Sequence, residues 1–245
     1  MAKYIKRFND TTECTQYIQS MNYIEPFSAA ISPTDPVYYN QYDLNRETYI
    51  AKTYIRSTGD QYINTAITLY PTTLVEMKFR VHTFGNYWDT IFGMRTTNNG
   101  SVRFTARFAN TQNAKLGIQY SNTNSASQTS ADINVLKKDT CKNWTIIKFS
   151  HIIEVNGTTY KTFTAPASNA AAYSKPLFLC AVNNGGSAID YARIDIAYFK
   201  MYNVNRDIIW HGVPVQRRSD SKYGLYNIIN NQFYPSNSST DFQGA

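Results

Sequence analysis

Along residues 73–82 the chain alternates cleanly: Val75, Met77, Phe79 and Val81 take one set of positions, Glu76, Lys78, Arg80 and His82 the other. A period of two is the signature of a strand with one face buried and one face wet. The same logic, with β-branched and aromatic enrichment, predicts strands at 61–67, 88–95, 102–108, 115–120, 144–150, 152–155, 158–163 and 177–182, and a long one at 192–202. Val155-Asn156-Gly157-Thr158 is an Asn-Gly hairpin turn, and Asn184-Gly185-Gly186-Ser187 a turn after a strand. Residues 121–130 are almost all Ser, Asn, Thr, Gln and Ala and read as a polar loop. Gly212-Val213-Pro214-Val215 leads into a terminal hairpin, Tyr223 to Ile229 and then Gln232-Phe233-Tyr234, whose aromatics pack under the body; Asp241-Phe242 closes the chain. About ten strands with short turns and no long amphipathic helix predict an all-β sandwich or barrel.

The first 46 residues break this pattern. Asp10-Thr11-Thr12-Glu13 is a capping box, so a short helix is expected over 11–20. Pro26, Pro33 and Pro36 then interrupt an extended stretch that ends in Val37-Tyr38-Tyr39-Asn40. Such a piece has too little apolar surface to fold alone. The expected organisation is an attachment segment, 1–46, before one large β domain, 47–245. Phe27, Val37, Tyr38 and Tyr39 are its candidate docking side chains, added as an extended strand to a partner.

Composition agrees and narrows the function classes. The 245 residues are 42% hydrophobic, with 20 Tyr and 13 Phe, and only 17% charged, against roughly 25% in an average domain. The formal net charge is +7, yet Arg56, Lys78, Arg80, Arg95, Arg103, Arg107 and Lys115 look scattered, and only Lys137-Lys138 and Arg217-Arg218 are adjacent in the main body. A nucleic-acid groove wants clustered cations among exposed aromatics, so nucleic acid is not an expected partner. No apolar run reaches the ~18 residues of a membrane span, and the opening Met1 to Phe8 has no apolar signal core; neither a membrane nor secretion is expected. Cys14, Cys141 and Cys180 form no metal or disulfide pattern, which suits manufacture in a reducing cytoplasm; Cys180, within Leu177 to Val182, reads as a core thiol.

Four motifs in order carry a resemblance. They are Tyr62-Ile63-Asn64-Thr65 entering the strand at Val75 to Phe79, Ile91-Phe92-Gly93-Met94-Arg95, the Asn156-Gly157 hairpin, and the ending from Pro214-Val215 through Gly224-Leu225-Tyr226 to Phe233-Tyr234. Together they resemble the laminin-G-like, concanavalin A-type jelly rolls of gut bacteria and their phages, over roughly residues 48–245. The opening Tyr4-Ile5-Lys6-Arg7-Phe8 and the Val37-Tyr38-Tyr39-Asn40 stretch are similar to short leaders on structural proteins of Bacteroides phages, including crAss-like phages. The resemblance implies a concanavalin-like jelly roll in a virion: a capsid-decoration, head-fibre or tail-associated protein held by its leader to other virion proteins. A homo-oligomer is expected of such parts.

The residues offer little for catalysis. Retaining glycosidases need two carboxylates about 5 Å apart, supplied by alternate positions of one strand. The five glutamates are Glu13, Glu25, Glu47, Glu76 and Glu154, and only Glu13 has an acid within three positions, Asp10, which the cap explains. Glu76 and Glu154 read as lone, outward-facing strand residues. His82 faces outward, His151 ends a strand and His211 sits beside Trp210 near a turn; no two have metal-site spacing. No G-x-S-x-G elbow occurs. The expectation is therefore no enzyme. A carbohydrate-binding module for host-surface or mucin glycans is the alternative, since sugar sites use loop Asp and Asn, aromatic platforms and sometimes Ca²⁺. Its candidates are Tyr87, Trp88 and Asp89, Asn98 and Asn99, and Asn183 and Asn184. The blander possibility is that these asparagines mark turns and Trp88 packs in the core. No cofactor is required, although Ca²⁺ fits such loops.

Overall fold

A computed structural model describes residues 44–86, 88–96, 102–110, 115–125, 129–135 and 143–245. The expected helix at 11–20 and the docking side chains Phe27, Val37, Tyr38 and Tyr39 lie outside the described residues. What is described is all β. The strands are β1 (Tyr49–Ala51), β2 (Ile55–Arg56), β3 (Ile63–Thr68), β4 (Leu74–Thr83), β5 (Thr90–Arg95), β6 (Arg103–Asn110), β7 (Lys115–Tyr120), β8 (Thr129–Ile133), β9 (Thr145–Phe149), β10 (Ile152–Val155), β11 (Thr158–Thr162), β12 (Pro176–Leu179), β13 (Val182–Asn184), β14 (Ser187–Ile189), β15 (Arg193–Tyr202), β16 (Ile208–Arg217), β17 (Tyr223–Asn227), β18 (Gln232–Pro235) and β19 (Gln243–Gly244).

They form two sheets. The larger runs β11-β10-β9-β4-β15-β16-β17-β18, with β1 on β16 and β2 bridging β15 and β19. The smaller runs β14-β13-β5-β6-β7-β8, with β12 joining β3 to β5. Pairing is antiparallel except between β13 and β5. The strand order crosses repeatedly between the sheets, as in a jelly roll, so the expected sandwich is what the chain forms.

The core lies between the sheets. Val75, Met77, Phe79 and Val81 of β4 point into it, as their alternation requires. From the smaller sheet come Phe92, Phe104, Ala106, Phe108, Leu116, Ile118 and Tyr120. Aromatic rings cross the gap: Phe104 and Phe149 have centroids 4.3 Å apart, and Phe92 meets Phe149 edge-on at 5.5 Å. Each fully buried ring of this size contributes roughly 2–3 kcal/mol by leaving water. Polar tips are satisfied: the Tyr120 hydroxyl donates to the Pro71 carbonyl at 2.9 Å, and the Tyr173 hydroxyl to that of Ser121. Cys180 is fully buried, as a core thiol should be, and burial pushes its thiol up.

The Asn156-Gly157 turn joins β10 and β11 with φ of 50° and 79°, both left-handed as this hairpin demands. Several strands go beyond the sequence pattern. Thr129–Ile133 is the edge strand β8 rather than the end of a polar loop. The region read as a lead-in to the terminal hairpin is the ten-residue β16, which passes through Gly212 and Pro214. Pro214 falls where β16 changes partner, from β15 at residues 208–212 to β1 at 215–217. That is where a strand tolerates a missing N–H. The terminal hairpin splits its aromatics. Tyr234 packs edge-on to Trp210 in the core at 5.4 Å, while Tyr226 and Phe233 lie outside the sheet against Tyr49, at 4.9 and 5.8 Å. Leu44, Ala51, Val213, Val215 and Tyr226 form a second, smaller apolar cluster there.

Candidate functional site

The outer face of the smaller sheet gathers three arginines from the consecutive strands β5 and β6. On β6, Phe104, Ala106 and Phe108 point into the core, so Arg103, Thr105 and Arg107 point out. The β5–β6 register sets Arg95 directly opposite Arg103, and Gly93 opposite Thr105. Gly93 is needed there: a Cβ on it would stand 2.9 Å from the Thr105 methyl. On β7, Gln119 is opposite Thr105 and accepts from Arg103 Nη1 at 3.0 Å. Although they face away from the core, Arg95 and Arg107 are only 6% and 5% exposed.

Two turns flank this face. The turn before β5 carries Trp88, which is 42% exposed rather than packed in the core. Its ring lies over the Arg107 guanidinium, 4.0 Å from carbon to centroid, a cation–π contact. The next residue, Asp89, anchors that turn from beneath: it is buried and pairs with Arg193 at 3.3 Å. Burial raises its carboxyl above the usual range, and neighbouring Asp190 adds to the rise, against the pull of the Asn86 amide and Arg193. The second turn carries Asp190, whose carboxylate takes Arg95 Nη2 at 2.7 Å. Asp190 sits at φ +56°, a left-handed conformation that Asp tolerates.

The other candidates divide. Asn183 is buried and spends both ends of its amide locally, Nδ2 donating to the Pro176 carbonyl at 2.9 Å and Oδ1 accepting from Gly186 N at 2.8 Å. It is a turn-builder and presents nothing outward. Asn184 is half-buried beside Arg95 in the β13–β5 register. Tyr87, Asn98 and Asn99 lie outside the described residues.

Glu76 and Glu154 are not lone. Register places Glu154 opposite Lys148 and Lys148 opposite Glu76, so the two acids flank a lysine on the outer face of the larger sheet. Glu154 meets Lys148 at 3.7 Å; Glu76 meets Lys200 at 3.8 Å and accepts from the Tyr198 hydroxyl at 2.9 Å. Two strand spacings put them about 10 Å apart, outside the reach of a nucleophile–acid pair. His211 is also not a turn residue. It lies within β16, 6% exposed, and burial, with Lys200 beside it, lowers its imidazole to about 3. Among the described residues no group of three or more His, Cys, Asp or Glu is gathered around a common point, and no helix is long and apolar enough to cross a membrane.

The sequence signal for the arginine face was present as three residues that looked scattered. What gathers them is the β5–β6 register, which the residues alone do not reveal.

No protein-family model and no curated protein matches the chain. Among solved structures, it is similar to Ruminococcus gnavus IT-sialidase CBM40 bound to α2,3-sialyllactose, with TM-score 0.46 and 12% identity over 65% of this chain and 92% of that one. It is similar to the K499G mutant of NanB sialidase from Streptococcus pneumoniae, with TM-score 0.41 and 16% identity over 63% of this chain. NanB bound to Optactamide gives TM-score 0.41 and 17% identity over 59% of this chain. The chain spans about a quarter, 26%, of the length of either NanB chain. The assignment as a two-sheet, jelly-roll-like sandwich rests on the strand order and register themselves.

Proposed function

We propose that this chain is a non-enzymatic carbohydrate-binding jelly roll, displayed by a phage particle to which residues 1–46 attach it. The observation that carries the binding half is Trp88. A large aromatic ring left 42% exposed, fixed on a guanidinium and anchored by a buried ion pair one residue on, is a preorganised platform for the apolar face of a sugar. The ladder Glu154–Lys148–Glu76–Lys200 supports the non-enzymatic half, because each glutamate is already committed to a lysine. The particle setting is supported by the leader's similarity to those of phage structural proteins.

The full chain on an array of bacterial-surface and mucin glycans is expected to bind, and Trp88→Ala to lose that binding at least tenfold with its unfolding midpoint unchanged. An array with no bound glycan overturns the binding half. Recovery of a chain lacking residues 1–43 in particles at the full chain's level overturns the attachment half.

A further inference from the structure

We propose that residues 1–43 dock on the domain they precede, with Val37, Tyr38, Tyr39 and Tyr42 laid over the outer face of the larger sheet at β16. The inference needs neither the glycan reading, whose residues lie on the other sheet, nor the particle reading.

An antiparallel sheet with one face in water carries polar residues at its outward positions. β4 does so with Glu76, Lys78, Arg80 and His82, none of them fully buried. β16, two strands away in the same sheet, does not. A Cβ on Gly212 would meet Trp210 and Leu225, both in the core, so Gly212 faces in and His211, Val213 and Val215 face out. Residues 210–215 are nevertheless buried without a break. On β15, Tyr198 also faces out, its hydroxyl donating to Glu76 and its ring lying 4.9 Å from Lys200 Nζ. Lys200 in turn is opposite His211. Tyr198 is only 4% exposed and His211 only 6%.

Neighbours in a sheet shield a side chain from its flanks, and the face itself is buried by packing another element on it. Among the described residues every strand belongs to one of the two sheets, so no strand forms a layer above this face. Leu44, Tyr49, Tyr226 and Phe233 gather at Val213 and Val215 and account for that end. Tyr198 and His211 lie further along and call for more chain.

The polypeptide itself points to the occupant. Leu44, the first described residue, already packs beside Val213 and Val215, so the residues before it start from this face. Val37, Tyr38, Tyr39 and Tyr42 fall within the seven positions that precede it. An extended chain advances up to about 3.5 Å per residue, which lets them reach up to ~25 Å from Leu44. His211 is only two residues along β16 from Val213. Residues 8–43 hold five acidic side chains and no lysine or arginine, in a chain of net charge +7, so the rest of the molecule attracts them. A segment joined at residue 44 also competes at an effective concentration in the millimolar range, ahead of a free partner.

Photo-crosslinking in the full chain tests this. A benzoylphenylalanine is placed at Ile228, which donates its N–H to the His211 carbonyl and packs against the same outer cluster. In a second preparation the label sits at Tyr202, half-buried on the same face beside Glu76. Irradiation is expected to join at least one label to residues 30–43 of the same molecule, found by peptide mass spectrometry in a band of monomer mass. Tyr38→Asp combined with Tyr39→Asp should cut that cross-link about fivefold and lower the thermal midpoint by roughly 4 °C, whereas Tyr4→Asp combined with Phe8→Asp should move the midpoint by under ~1 °C. The same cross-link in a band of twice the monomer mass overturns the proposal, because the occupant is then a second copy. Cross-links from both labels that reach no residue before 44 overturn it, and so do equal midpoints in the two double variants. Glycan binding is expected to be the same in every variant, so this inference and the glycan reading fail separately.

Discussion

The two sheets turn outward two very different sets of charges. On the larger sheet, Arg56 and Arg80 converge on one carboxylate, Asp195, each with a 2.7 Å contact. Asp195 is fully buried, and both arginines also stack on Tyr54, Arg80 on Trp144 as well. Beside them Glu76 and Lys200 pair off. On the smaller sheet Arg95 and Arg103 are set directly opposite each other, Arg95 held by the partly exposed Asp190 and Arg103 by the Gln119 amide oxygen. The first arrangement is closed: cation, anion and aromatic account for one another, and nothing further is needed to explain it. The second brings like charges together by strand register, beside an exposed indole, and draws partners from separate turns and strands. An arginine cluster is thus read through its counter-charges and its burial, and the number of arginines alone says little.

Four perturbations test that contrast, the largest first. Asp195→Asn removes the shared partner of two partly buried arginines and should cost about 2–3 kcal/mol in urea unfolding, less than for a fully buried pair because both arginines reach solvent. A loss under ~0.5 kcal/mol would make the larger sheet's cluster ornamental.

Next is the acid response of His211. Its imidazole stays neutral in the fold, while the unfolded chain takes a proton near pH 6.5. Its contribution is therefore intact above pH 6.5 and drains away as pH falls from there toward about 3. About 2 kcal/mol should be gone by pH 5, at ~1.4 kcal/mol per pH unit. His211→Gln should flatten this slope, and an unchanged slope would place the sensitivity elsewhere.

Third, Arg103→Gln removes one of an opposed arginine pair together with its bond to Gln119 and should cost less than Arg80→Gln, by about 1 kcal/mol. Equal losses from the two would erase the distinction between the faces. Smallest, Asp190→Asn takes a partly exposed carboxylate from Arg95 and should cost under ~1 kcal/mol of stability. A loss above ~2 kcal/mol would make Asp190 a main brace for Arg95.

How far the sequence reveals all this depends on what each feature needs. β4 was legible because one strand's alternation suffices, and the hairpin at Asn156-Gly157 because two residues define it. β16 was obscured by Gly212 and Pro214, which argue against a central strand wherever the ladder's partners are unknown. With β16 hidden, His211 looked like a turn residue. β1, β2 and β19 have two or three residues each, too few for any period. The arginine face was illegible for a different reason. Arg95 and Arg103 become neighbours only through a register that also contains a bulge between Thr90 and Phe92. Trp88 and Asp89 were legible as a candidate pair, but not which of them is exposed and which is buried.

The way the domain joins the segment before it has a mechanical side. β1 lies antiparallel along the far end of β16, Tyr49 opposite Arg217 and Ala51 opposite Val215, and Thr53 N then donates to the Ala245 carbonyl at 2.8 Å. Tension arriving through residue 44 therefore meets a ladder loaded lengthwise, whose bonds must slide together, and it enters the sheet that does not carry Arg95, Arg103 and Arg107. A pull applied at residue 44 would be absorbed by the larger sheet before it could distort the other face.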